Sequence, residues 1–269
     1  VLFDLQSPRR RLAVKFVYGG LAVLIGGGLI LGTFGSSGGG LLDSIGLGGG
    51  GGGSDPFKDQ ISSAQAKVTA NPKDRAALLE LTRAHFLSGN SKLDADPQTG
   101  QTKPTEDSNQ EFERAADAWT QYLKTKPTKP SSDVASLIVQ AYIGLAQSAT
   151  SASAADSDIK GAAAAQQIVA DAMPSQGSLS NLAIYLYFSG DTAGGDKAAQ
   201  QASALAQPAQ KTALAQQLAQ LKTQAAKFRQ EVKAALKPPP APGGAPAPGA
   251  PSTTNPFQNP LSTPGGLGG

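Results

Sequence analysis

The 269-residue chain has no cysteine and only one histidine, one tryptophan and one methionine. Without cysteine there is no disulfide framework, no thiolate nucleophile and no zinc ribbon. With His85 alone, a multi-histidine metal site is also excluded. Glycine and proline are plentiful overall but scarce in the middle of the chain. Residues 1–54 hold 17 of the 32 glycines, and residues 237–269 hold 7 glycines and 10 of the 19 prolines. The intervening 55–236 keeps 8 of each, which leaves roughly 180 residues for one ordinary hydrophobic core.

An excess of charge is equally absent from that middle. The whole chain is +3, but residues 55–236 carry 18 basic and 18 acidic side chains. The surplus sits in the N-terminal flank, at Arg9, Arg10, Arg11 and Lys15. A basic flank beside a neutral domain does not make a nucleic-acid face, so no nucleic-acid partner is expected. It reads instead as an orientation signal for a membrane segment.

Residues 16–34, FVYGGLAVLIGGGLILGTF, are uncharged. As a helix they extend roughly 29 Å, close to the thickness of a bilayer core. A transmembrane helix is therefore expected over 16–34, with 1–15 as its basic cytoplasmic end and the remaining chain outside. A cleaved signal peptide is the competing reading, but its apolar stretch is usually shorter, and no A-x-A-like cleavage site follows here. Gly28 and Gly32 stand at GxxxG spacing, which lets two such helices approach as a homodimer. Background glycine in a glycine-rich stretch is the alternative. Residues 35–55, with the run Gly48–Gly53, read as a flexible tether.

From residue 56 the apolar period is helical throughout, with no alternating strand pattern. Pro72, Pro127, Pro174 and Pro208 each separate two such stretches, as proline does between helices. Asn71-Pro72-Lys73-Asp74 reads as a turn leading into an N-cap. A repeat shows through: His85-Phe86-Leu87-Ser88-Gly89-Asn90 recurs as Tyr187-Phe188-Ser189-Gly190-Asp191 with one residue fewer.

With these residues in place, the stretch 56–208 resembles the tetratricopeptide repeat family, whose unit of about 34 residues is a helix–turn–helix. One unit matches as Leu81, Gly89, Phe112, Ala115, Trp119 and Pro127, with Thr82 where a small residue is usual. The last matches as Leu182, Ala183, Gly190, Gly195, Ala199, Ala202 and Pro208, and the middle one as Tyr142, Ala162 and Pro174. The proline spacings exceed one unit, so polar insertions are expected at about 90–110 and 147–158. The resemblance implies an all-α solenoid of helical hairpins, with the first helix of each unit lining a binding groove. On that alignment Leu79, Arg83, Phe86, Ser180, Ile184 and Tyr187 are the candidate partner-binding residues, with the equal alternative that the apolar ones face the hairpin interior or the capping helix. Family members that clamp a peptide carboxylate need a Lys and Asn set missing here, so an apolar or helical segment suits the groove better.

Residues 209–236 carry Leu214, Leu218, Leu221, Ala225, Phe228 and Val232, a spacing of four and three that makes an apolar seam. A capping helix on the last repeat is expected, with self-association as the alternative. This segment is +4, against −4 for 55–208, which favours docking on its own domain. The tail 237–269 is Pro/Gly-rich and expected to be disordered.

No catalytic constellation emerges. His85 is expected to pack, Glu113 and Asp117 to form a solvated edge, and Asp94–Gly100 to be an insertion loop, because its calcium-loop likeness has the glycine one position late. No enzyme activity, cofactor or metal is expected. The layout of basic end, single span and helical repeats is similar to that of the ancillary subunit of the bacterial secretion translocon. It implies a single-pass protein of the bacterial cell membrane with an extracytoplasmic domain, binding protein or peptide as a scaffold, assembly factor or chaperone. A structural tether between membrane and envelope with a passive helical module is the second expectation.

Overall fold

The computed structural model describes residues 56–95 and 102–236. The expected span 16–34, Arg9, Arg10, Arg11, Lys15, Gly28, Gly32, the tether 35–55 and the tail 237–269 lie outside the described residues. Among the described residues no helix is long and apolar enough to cross a membrane.

Helix α1 (Lys58–Ala70) buries Ala64 and Val68 and stops at Asn71-Pro72. Asn71 Oδ1 accepts from the Lys73 amide at 3.1 Å, and Asp74 then caps α2 (Arg75–Ser91) by accepting from the Ala76 and Ala77 amides. This side-chain relay turns the chain within three residues and satisfies amides that a helix start leaves open. A capping box of Thr105 and Ser108 opens α3 (Glu106–Lys124). Ser131 caps α4 (Ser132–Ser148) and Ser151 caps α5 (Ala152–Ala172). A second capping box, Ser175 with Ser178, opens α6 (Gln176–Ser189), and Asp191 caps α7 (Thr192–Leu205). The long α8 (Lys211–Leu236) closes the domain.

The described domain is thus all-α, with eight helices packed as sequential pairs. Helices α2 and α3, α4 and α5, and α6 and α7 form hairpins; α3 then packs on α4, and α5 on α6. Helix α1 lies on α2, and α8 lies chiefly on α6 with edges against α7 and α5. Each of Pro72, Pro127, Pro174 and Pro208 falls between helices, where the absent amide breaks no ladder. Two buried clusters result. One joins α1–α4, with Ala165 of α5, around Phe86, Phe112, Trp119 and Ile138, and the other joins α5–α8, with Ala146 of α4, around Ile159, Phe188 and Phe228. Tyr185 packs against both.

The insertions are shorter than the proline spacing suggests. Residues 106–110 already belong to α3 and 152–158 to α5, so much of the extra length goes into longer helices. What is left of the first insertion carries β1 (Asp94–Ala95) and β2 (Thr102–Lys103), which pair antiparallel in a two-residue ladder.

The matching glycines Gly89 and Gly190 play different parts. Gly190 ends α6 in the left-handed region at φ 95°, a conformation that favours a residue without Cβ. Gly89 lies inside α2, where Phe112 crosses it. A Cβ there would stand 2.8 Å from the Phe112 ring and 3.0 Å from the Ser108 carbonyl. Thr82, also inside α2, is fully buried and donates its hydroxyl to the Leu78 carbonyl at 2.7 Å. That bond satisfies the polar group a small residue would not have brought.

Candidate functional site

Because α2, α4 and α6 all start on a capping side chain, their residues can be set in a common register. Counting from Asp74, Ser131 and Ser175, the fifth, ninth and thirteenth residues fall on one helix face. They are Leu79, Arg83 and Leu87 in α2; Ser136, Gln140 and Gly144 in α4; and Ser180, Ile184 and Phe188 in α6. On α2 and α4 this stripe is only partly covered: Arg83 and Gln140 are exposed, Ser136 is half-buried, Leu79 and Leu87 rest half-buried on the α1–α4 core, and Gly144 lies against the Phe112 ring. On α6 the same three positions are only 1%, 2% and 0% exposed.

Helix α8 makes the difference at Ile184 and Phe188. Its seam residues Leu214, Leu218, Leu221, Ala225, Phe228 and Val232 are buried in one cluster with Ile184 and Phe188. The Phe188 and Phe228 rings meet at 5.5 Å between centroids, a tilted aromatic contact. Two ionic contacts flank the seam. Lys222 Nζ donates to both oxygens of Asp196 on α7 at 2.8 Å and lies 5.9 Å from the centre of the Tyr187 ring. Arg229 donates to Asp156 on α5, which also accepts from Lys160 at 2.8 Å. Burial pushes the Asp156 carboxyl up, but hydrogen bonds and charge from Lys160 and Arg229 outweigh it and hold the pKa below the usual range. Lys222 and then Tyr187 hold the Asp196 carboxyl low as well.

A cleft of about 320 Å³ remains where α8 passes the α6–α7 turn, lined by Gly190, Thr192, Lys222, Arg229, Gln230 and Lys233. Two of its cations are already matched by Asp196 and Asp156, so it is chiefly an intramolecular clamp. Gly190 belongs to that clamp. A Cβ there would lie 3.0 Å from Arg229 Nε in addition to the strain of φ 95°. Gly190→Ala is therefore expected to cost about 1–2 kcal/mol, measured by urea unfolding.

The six residues named from sequence separate into distinct environments. Leu79 and Arg83 lie on the open stripe. Phe86 is buried against Phe112, with ring centroids 5.8 Å apart, and faces the α2–α3 hairpin interior. Its neighbour Leu87 takes the stripe position. Ser180 and Ile184 are buried on α6, and Ser180 Oγ has no hydrogen-bond partner among the described residues. Tyr187 is buried beside Gly195, and its hydroxyl donates to Asp196 at 3.0 Å. Burial and then the Asp196 carboxylate push the Tyr187 pKa up. The structure adds Leu87, Ser136, Gln140 and Gly144. The serine before each of the two later helices marks their register, and the weak repeat match of α4 had hidden it.

Other titratable groups serve the scaffold. His85 is buried and its Nδ1 lies 2.6 Å from Glu111 Oε2; Lys92 and Arg114 donate to Glu111 Oε1 at 3.0 and 2.9 Å. Glu113 and Asp117 are exposed. Asp158 is half-buried, and burial followed by the nearby charge of Glu113 pushes its pKa up to about 6. The fold therefore prefers the neutral acid, and stability falls as pH rises from the unfolded value of 3.8 through 6. With solvent screening discounted, Asp158→Asn is expected to stabilise the domain by about 1 kcal/mol at pH 8. Paired unfolding curves should show the gain disappear below the unfolded value.

Among the described residues no group of His, Cys, Asp or Glu is placed to hold a metal ion. No protein-family model, curated protein or solved structure matches the chain.

Proposed function

We propose that this is a membrane-anchored, tetratricopeptide-like binding protein of the bacterial envelope, whose helical domain captures a segment of another protein without chemistry of its own. One observation carries the reading: the stripe that α8 fills on α6 recurs only partly covered, in the same register, on α2 and α4. That the hairpin stack already accommodates one amphipathic helix supports the capture of a second segment beside it. The uncharged 16–34 stretch behind Arg9, Arg10, Arg11 and Lys15 supports an anchor with the domain on the outer side. The protein's role is then scaffolding, assembly or chaperoning at the outer face of the membrane.

Site-specific photocrosslinking on the full chain in its native membrane tests this. A crosslinker at Arg83 or Gln140 is expected to trap the same protein. One at Gln167, exposed on α5, is expected to trap none. Equal capture from Gln167, or none from Arg83 and Gln140, overturns the binding role and favours a passive tether.

A further inference from the structure

The occupied stripe on α6 indicates what the open stripe is built to receive. Its partner there is a helix, held by apolar residues spaced four and three and flanked by charges that find opposite charges on the hairpins. The open stripe differs from the filled one in the middle. Where α6 has Ile184, α2 has Arg83, exposed and making no hydrogen bond or ion pair with the described residues. Glu80, one turn before Arg83 on α2, is already paired with Lys67 at 2.8 Å. Arg75 is likewise engaged, on Thr125 Oγ1 and the Thr125 carbonyl. The other charge in the register, Asp133 in the first turn of α4, lies two turns from the stripe centre. Above and below Arg83 the stripe is apolar at Leu79 and Leu87, and on α4 it is small or neutral at Ser136, Gln140 and Gly144.

We infer that the α2–α4 stripe receives an amphipathic helix of a different protein, with an apolar seam like that of α8 and a carboxylate where Arg83 meets it. This rests on the binding role proposed above and narrows it to one class of partner. A second copy of this chain is a poor occupant. Among the described helices the one with such a seam, α8, is +4 and carries its acid, Glu231, amid Lys227, Arg229 and Lys233, so it would bring like charge to Arg83. A helix that buries its seam against Leu79 and Leu87 draws the Arg83 contact away from bulk water, where one charge pair discriminates more strongly than on an open surface.

Two synthetic helical peptides with the α8 apolar spacing test the inference. Their α8 cations are replaced by neutral residues, and the central polar position is Glu in one and Lys in the other. Binding to the full chain is followed by fluorescence anisotropy at low salt. The Glu peptide is expected to bind at least about tenfold tighter than the Lys peptide, and Arg83→Glu is expected to invert the preference. The control Lys211→Glu, an equal change of net charge at an exposed site on α8, should leave the preference unchanged. Arg83 is exposed, and an unchanged near-UV spectrum verifies that its variant folds. Equal binding of both peptides, indifferent to Arg83→Glu, overturns the acidic partner while the binding groove stands. Binding of neither peptide overturns the helical partner, and the crosslinking from Arg83 and Gln140 then decides separately whether the groove binds anything.

Discussion

Phe188→Ala is expected to lower the unfolding free energy by about 4 kcal/mol, the range of a large aromatic lost from a packed core. Phe188 is fully buried and is the largest such side chain described. Its ring forms the floor on which Phe228 of α8 rests, so the substitution removes transfer energy and leaves a cavity that a helix on either side cannot fill. The loss should appear as a lower urea midpoint with little change in slope. Phe228→Ala is expected to cost nearly as much, and the double variant about 1 kcal/mol less than the two separately, as coupled ring pairs behave. Strict additivity would mean that α8 is not held on α6 by this contact.

Glu111→Ala is expected to cost about 3–4 kcal/mol at neutral pH, because it removes the common acceptor of His85, Lys92 and Arg114 from a buried site. Burial alone would raise the Glu111 pKa; hydrogen bonds from His85 and Lys92, with their charges, reverse this and hold it below 4.5. A lowered folded pKa means that the stabilisation is present above the unfolded value and is lost as pH falls through the folded one. The difference between wild type and Glu111→Ala should therefore be full at pH 7 and shrink steadily below about pH 4. Glu111→Gln, which keeps the acceptor oxygen but not the charge, should cost less at neutral pH. A cost independent of pH would show that Glu111 acts through packing alone.

Much of the fold can be read from local chemistry. Proline at 72, 127, 174 and 208 separates helices wherever it stands, since no neighbour can supply the missing amide hydrogen. The four-and-three seam of 214–232 is buried along its whole length, as its period implies. Asp74 caps α2 because a short carboxylate one residue before a helix reaches its first free amides. Residue pattern was a weaker guide to insertions, since a polar stretch such as 152–158 can add two turns to a helix as readily as it can form a loop.

The candidate site was legible only in part. Arg83 and Leu79 could be placed on an outward face because charge and spacing agree there. Phe86 and Leu87 are adjacent and both apolar, so period alone could not say which turns into the hairpin. The ring of Phe112 decides it by taking Phe86. Glu111 reads as one more surface acid in sequence, and only the approach of α2 puts it beside His85.

By itself, then, the sequence determined what depends on neighbours along the chain: an all-α domain, its helix starts, its proline seams and the seam of its last helix. Tertiary structure alone decided which look-alike residues do different work. Gly190 turns the chain while Gly89 admits a ring. Ile184 and Phe188 are closed while Arg83 stays exposed and Leu87 half-buried. The physical reason is that backbone caps and breaks act over one helical turn, whereas burial depends on which distant helix arrives. Here α8 reaches α6 and leaves the stripe on α2 and α4 uncovered by it.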